Sequence, residues 1–298
     1  MLADAVASAA AQTYRPIEII IVDDGSGDDE ARAIDALAAR YAEARVVHRE
    51  NGGPGAARET GRLAARGAYI QYLDSDDLLL PRKLALQVAA LGARPEAGVA
   101  YGLTRYRDAA GNEVACTWKN ANQRQETIFP SFLVSRWWET STPLYRRTVT
   151  DAAGPWLPLR LEEDWEYDCR IGAMGVRLAF VPEVVAEHRD HGDNRLSRGA
   201  ANDPQRLRQQ SVAHLRIAEH ARSAGLPSSL PEMQHFAREL FRLARLCGAS
   251  GLADESRQLF AAAYAIAPRW DLRVYAAAAR TLGWTRAAKL AALRERAR

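Results

Sequence analysis

Ile17-Glu18-Ile19-Ile20-Ile21-Val22-Asp23-Asp24-Gly25-Ser26 is the stretch on which the fold turns. Its first six residues form a short, β-branched, nearly continuous apolar run, the pattern of a strand buried on both faces of a parallel sheet. After two aspartates, residues 28–42 carry Ala31, Ile34, Leu37 and Tyr41 at helical spacing. Outward from there the alternation repeats. Residues 45–48 read as a second strand, 55–66 as a second helix and 68–73 as a third strand. Such a series builds an α/β fold, a Rossmann-like, mostly parallel sheet flanked by helices, with right-handed crossovers. Residues 84–91 and 161–174 read as further helices, and 98–102 and 176–185 as further strands. Residues 105–160, with Trp118, Trp137, Trp138 and Trp156, read as strands and loops building a pocket wall.

From Pro204 the pattern is helical to the end, over residues 204–223, 231–248, 252–266, 269–282 and 285–298. The chain therefore divides into a catalytic α/β domain, 1–203, and an all-helical C-terminal region, 204–298. Residues 232–268 look like a single tetratricopeptide-type hairpin, too few to make an array. The C-terminal helices leave two readings: a helical tail packed on the domain with a solvated basic face, or a docking surface for a partner or for an anionic membrane face, which Arg280, Arg286, Lys289, Arg294, Arg296 and Arg298 favour.

Composition narrows the function classes. Of 298 residues, 48% are hydrophobic and 26% charged, which excludes a disordered or fibrous chain. No apolar run is long enough to span a bilayer. Residues 1–14 have no basic leader, so no secretory signal is read there. Cys116, Cys169 and Cys247 are scattered, which suits a reduced cytoplasm and no zinc site. With 40 Lys and Arg against 37 Asp and Glu, the net charge of +3 does not point to nucleic acid.

Two acidic clusters close expected strands, Asp23-Asp24 and Asp74-Ser75-Asp76-Asp77. Ligands of open α/β sheets bind outside the carboxyl ends of the strands, so both clusters should face one crevice. Carboxylates crowd at a cost unless a cation neutralises them, and Mg²⁺ or Mn²⁺ is held by such oxygens together with substrate phosphates. Asp74 and Asp76 thus read as a metal-diphosphate bridge, with helix capping as the plainer alternative. Glu163-Asp164, opening a helix, complements the helix dipole or supplies a general base. Asn51-Gly52-Gly53-Pro54-Gly55-Ala56-Ala57-Arg58 is a glycine-rich turn entering a helix, a place for an anion. It is neither a Walker A loop nor a dinucleotide fingerprint.

Taken in order, Ala11-Gln12-Thr13-Tyr14, the stretch from Glu18 to Ser26, Asn51 to Arg58, Tyr72 to Asp77 and Glu163-Asp164-Trp165 closely resemble glycosyltransferase family 2 over about residues 2–197. The resemblance implies a GT-A fold and inverting transfer of a sugar from a nucleotide-diphosphate sugar, with Mg²⁺ or Mn²⁺. The implied acceptor is a sugar, lipid-linked or protein hydroxyl, in bacterial polysaccharide or glycoconjugate synthesis. Asp23, Asp24 and Arg58 would hold the nucleotide, with Asp74 between nucleotide and metal. Asp76 would be the more direct metal ligand, and Asp77 would support the loop. Asp164 would be the general base. His191, in the polar stretch 187–194 together with His188, would add a metal ligand or cover the diphosphate. Trp165, Trp137 and Trp138 either line the acceptor site or pack. In one respect the chain departs from the resemblance: it begins inside the first helix, so the family's first strand is expected upstream. Two other classes stand beside this reading. One is an inactive nucleotide-sugar-binding scaffold, and the other a nucleotidyltransferase, whose lysine-bearing glycine loop is not seen. The expected location is cytoplasmic or at the inner membrane face.

Overall fold

The structure, a computed structural model, describes residues 1–116, 120–191 and 199–296. Trp118, Asn194 and Arg298 of the readings above lie outside the described residues. The chain forms two compact units, Met1–Ile128 with Ser135–Arg195, and Phe129–Val134 with Leu196–Arg298. A six-residue piece from mid-chain, holding the 3-10 turn Ser131–Leu133, thus joins the helical unit.

The first unit runs α1 (Leu2–Ala10), β1 (Ile19–Asp24), α2 (Asp28–Ala38), β2 (Ala44–Arg49), α3 (Pro54–Ala64), β3 (Tyr69–Ile70), β4 (Leu78–Leu79), α4 (Lys83–Ala93) and β5 (Ala97–Arg107). It continues with β6 (Glu113–Val114), β7 (Leu144–Arg146), α5 (Arg147–Ala153), α6 (Glu163–Ala173) and β8 (Arg177–Arg189). β1 lies parallel to β2. The other strands form a second, mixed sheet in the order β3-β7-β5-β8-β4, with β6 on β5. There β5 and β8 are parallel and the remaining pairs antiparallel.

The core is correspondingly divided. Val6, Ile21 and Ala38 pack α1 and α2 on β1, while Leu91, Ala97, Ala100, Leu144 and Ala179 pack α4 on the second sheet. Between β1 and the segment 69–74 lies a cavity of about 810 Å³, lined by Ile17, Ile19, Ile21, Tyr69, Gln71 and Leu73 among others. The Ile19 amide donates to Glu43 O at 2.8 Å, so by strand alternation the Ile20 and Val22 amides face this cavity. The Arg147 amide donates to Ala68 O at 2.9 Å, so the main-chain groups of Tyr69 likewise face it.

Two sequence expectations are corrected here. The third strand, expected over 68–73, pairs only at Tyr69–Ile70, because its partner β7 is three residues long. The last strand does not stop at Val185. It pairs with β5 as far as Arg189, and Glu187 is held to Arg107 at 2.9 Å, so the polar stretch 187–189 is strand rather than loop. Trp137 and Trp138 pack: both are buried, and both rings lie against Tyr101.

The second unit holds α7 (Pro204–Ser223), α8 (Pro231–Ala249), α9 (Ala253–Ile266), α10 (Trp270–Leu282) and α11 (Trp284–Arg296). Phe236, Leu240, Leu243 and Cys247 of α8 recur at helical spacing and are buried, as are Leu259 and Ala263 of α9. Gly248 is required where α8 meets α11, since a Cβ there would lie 2.7 Å from Ala288 Cβ. Among the described residues no helix is long and apolar enough to cross a membrane.

Candidate functional site

Four segments of the first unit meet at the carboxyl ends of β1 and β3. The end of β1 brings Asp23 and Asp24. Asp24 accepts from the Gly52 amide at 2.9 Å and the Gly53 amide at 2.7 Å, and is paired with Arg49. It therefore holds the glycine-rich turn at the head of α3. Gly53 sits at φ 86°, a left-handed conformation that favours glycine. Asp23 is buried and accepts from the Ser26 amide at 3.0 Å, with His48 Nδ1 at 2.8 Å. Hydrogen bonds from Ser26 and then His48 hold its carboxyl below the usual range. The same contact, with a second to Asp35, raises the His48 imidazole.

Arg58, one turn into α3, ties this end to the other acids. Its guanidinium donates to Asp74 Oδ1 at 2.7 Å and to Glu163 Oε1 at 2.5 Å, and lies over the Trp156 ring at 5.1 Å. One planar fork thus spans residues sixteen positions ahead and 105 ahead in sequence, by a charge-assisted hydrogen bond to each carboxylate. Surrounding protein pushes the Asp74 carboxyl up against the pull of Arg58. The approach is close: a Cβ on Gly55 would fall 2.0 Å from Leu157 O, so only glycine lets α3 reach the loop that precedes α6.

The loop 74–77 turns tightly, with the Asp77 amide on Asp74 O at 3.2 Å. Asp76 Oδ2 lies 2.8 Å from His191 Nε2, and Arg189 Nε donates to Asp76 O at 2.7 Å. Asp77 is buried, accepts from Ser141 Oγ at 2.9 Å and meets His188 Nδ1 at 2.9 Å. Asp77 thereby anchors the loop from below, leaving Asp76 beside His191.

α6 opens at Glu162, a non-glycine residue at φ 60°, and turns Glu163 and Asp164 in different directions. Glu163 goes to Arg58. Asp164 Oδ2 is 2.9 Å from Arg136 and accepts from Thr140 Oγ1 at 3.3 Å, while Oδ1 takes the Trp165 amide at 2.7 Å. Burial pushes Asp164 up, but Arg136 and Arg58 outweigh it, and its carboxyl is held below the usual range. Burial and the neighbouring Asp164 instead push Glu163 up to about 7. The pair of acids is thus split into one that stays ionised and one poised near neutrality.

Sequence reasoning missed Arg136, Glu139 and Asp168. Arg136 bridges Asp164 and Asp168, and Asp168 also accepts from Trp138 Nε1 at 2.8 Å and Tyr145 OH at 2.6 Å. The available signal was spacing: Asp168 lies four residues after Asp164 on the same helical face. Glu139 Oε2 stands 3.8 Å from His188 Nδ1. Nothing local in the sequence marks it. Lys83, fully buried, donates to Thr142 O at 2.9 Å and so pins the segment that carries Glu139, Thr140 and Ser141. Burial pushes its ammonium well down.

Burial pushes the Glu139 carboxyl up to about 7, with His188 opposing and Asp77 adding to the rise. A carboxyl raised above its ordinary 4.5 stabilises the fold only while protonated, so its contribution is present below about 4.5 and lost as pH rises through 7. Glu139→Gln should therefore match the wild type at low pH and exceed it by about 2–3 kcal/mol at pH 8. Thermal unfolding across that range checks it; an advantage that does not grow with pH would refute it.

Residues 1–148 match the family model described as glycosyl transferase family 2. An uncharacterised protein of Mycobacterium tuberculosis is 31% identical over 190 residues, 61% of this chain and 53% of that protein. The putative glycosyltransferase EpsH of Bacillus subtilis is 28% identical over 189 residues, covering 60% of this chain and 54% of EpsH. The chain spans about half the length of these curated relatives. Among solved structures, S. aureus TarS 1–349 superposes with a TM-score of 0.60 at 15% identity, over 100% of this chain and 88% of that one. The same protein in complex with UDP-GlcNAc gives 0.58 at 17%, over 95% and 88%. At such identities the likeness shows the fold.

Proposed function

Since the chain belongs, through residues 1–148, to glycosyl transferase family 2, we propose that it transfers a sugar with inversion from a nucleotide-diphosphate sugar to a hydroxyl acceptor. The observation that carries this reading is the Arg58 fork. It joins the Asp74–Asp76 loop to the Glu163–Asp164 helix, so that a diphosphate group and an attacking hydroxyl have acids within one site.

In this reading Asp24 holds the Gly52–Gly53 turn, and with Asp23 it forms the floor for the nucleotide at the end of β1. Asp164, kept ionised by Arg136 and Arg58, accepts the proton of the acceptor hydroxyl. The hydroxyl oxygen forms its bond to the anomeric carbon as the bond to the diphosphate oxygen breaks. The electron pair leaves with the diphosphate, and attack from the opposite face inverts the centre. The transition state has oxocarbenium character.

The donors present fit a divalent cation. Asp76 Oδ2 and His191 Nε2, 2.8 Å apart, offer one oxygen and one nitrogen, of which the carboxylate is the donor that suits Mg²⁺ or Mn²⁺. Among the described residues no three His, Cys, Asp or Glu side chains are gathered for a metal, so the remaining positions fall to diphosphate oxygens and water. When bound, the ion neutralises charge on the departing diphosphate. Asp76→Asn and His191→Ala should each weaken Mn²⁺ binding in the presence of UDP by at least about tenfold. Calorimetry reads this directly, and unchanged binding in both variants would remove the pair from the metal site.

The acceptor belongs to polysaccharide or glycoconjugate synthesis, and a lipid-linked acceptor would bring the enzyme to a membrane surface. The test is metal-dependent release of sugar from UDP-, GDP- and dTDP-sugars, with Asp164→Asn as control. Release that ignores both the metal and that substitution would overturn the reading.

A further inference from the structure

Among the described residues, the second unit carries an apolar face outside its own core. On α10, Trp270 is 76% exposed and Val274 is 59% exposed, in a unit whose other large apolar side chains are mostly buried. With Ala277 they recur at intervals of four and three residues, on one side of the helix. The opposite side, Leu272, Tyr275 and Ala279, is buried in the unit. Arg273 and Arg280, both exposed, lie along one side of the stripe. The one acid of α10, Asp271, is held by Arg269 at 2.9 Å. α11 repeats the arrangement on a smaller scale, with Arg286, Lys289 and Leu290 exposed. Side chains beyond residue 291 lie outside the described ones.

We infer that α10 docks by its Trp270–Val274–Ala277 stripe on an anionic lipid surface. A tryptophan standing out of a helix among arginines has an apolar ring to sink at the headgroup boundary and a polar N–H to leave there. These arginines then reach lipid phosphates, which they can grip by two hydrogen bonds. Charge selects this occupant over a second copy of the chain. A two-fold contact would bring Arg273 and Arg280 of both copies into one interface, like charge beside like. The inference does not depend on sugar transfer, since vesicle binding is read without donor or acceptor.

The test is co-sedimentation with vesicles of phosphatidylcholine alone and of phosphatidylcholine mixed with phosphatidylglycerol. The protein should bind the mixed vesicles and not the neutral ones, and salt should release it. Trp270→Ser with Val274→Ser should lower the partition coefficient at least about tenfold. Arg273→Glu with Arg280→Glu should lower it on the order of a hundredfold or more. All four positions are exposed, so unfolding midpoints should stay at the wild-type value, which separates lost docking from lost fold. Equal binding to both vesicle types, or variants that bind as the wild type does, would overturn the inference. So would a concentration-dependent dimer that the serine variant abolishes, which would assign the stripe to a second copy.

Discussion

Asp164→Asn is expected to cut sugar transfer by about 10³-fold while leaving nucleotide-sugar affinity within a few fold of the wild type. The substitution keeps the shape of the side chain and removes its ability to take a proton. Affinity should survive because Asp164 spends its oxygens on Arg136, Thr140 and the Trp165 amide, and not on the glycine-rich turn or the 74–77 loop. A neutral amide also relieves Arg136 of one of two carboxylates, yet Asp168 still holds it at 2.9 Å, so the local fold should persist. Single-turnover rates set beside equilibrium binding of the donor separate the two effects. A variant that loses binding and rate together would mean Asp164 builds the donor site instead of serving as base.

Arg58→Ala is expected to be the most damaging change to the architecture of the site. It leaves Glu163, 7% exposed, and the more exposed Asp74 without the cation that joins them. Removing one partner from a buried ionic cluster costs about 3–5 kcal/mol, and the exposure of Asp74 brings the expected loss nearer to 3. The loop 74–77 would also lose its tie to α6, and displacement of about 1 Å at such a centre costs on the order of a hundredfold in rate. Arg58→Lys should restore part of the stability and little of the rate, because a single ammonium cannot reach both carboxylates in a fixed plane. Denaturant unfolding beside turnover checks both variants. If Arg58→Lys recovered full activity, the bidentate geometry would be irrelevant.

What the sequence disclosed follows from how local each signal is. β1 and β2 were legible because Ile19–Val22 and Val46–Val47 are β-branched runs whose pairing needs nothing beyond one neighbour. The 68–73 strand pairs over less than its apolar length because its partner β7, some seventy positions on, is only three residues long. The acids at strand ends were legible as chemistry but not as contacts: that Asp24 would spend itself on the Gly52 and Gly53 amides follows only from the folded turn. Arg136, Glu139 and Lys83 were invisible because each gains meaning from residues tens of positions away, across a segment that reads as irregular. The pair at Glu163 and Asp164 was visible, but not its division of labour, which follows from Arg58 on the one and Arg136 on the other.

The divided sheet has a mechanical consequence. Among the described residues no backbone ladder joins β1 to β3; Arg58 on Asp74, and Glu18 receiving the Arg66 and Gly67 amides, connect the two sides. A ligand that touched the tip of β1 with one end and the 74–77 loop with the other would bridge the two sheets at once.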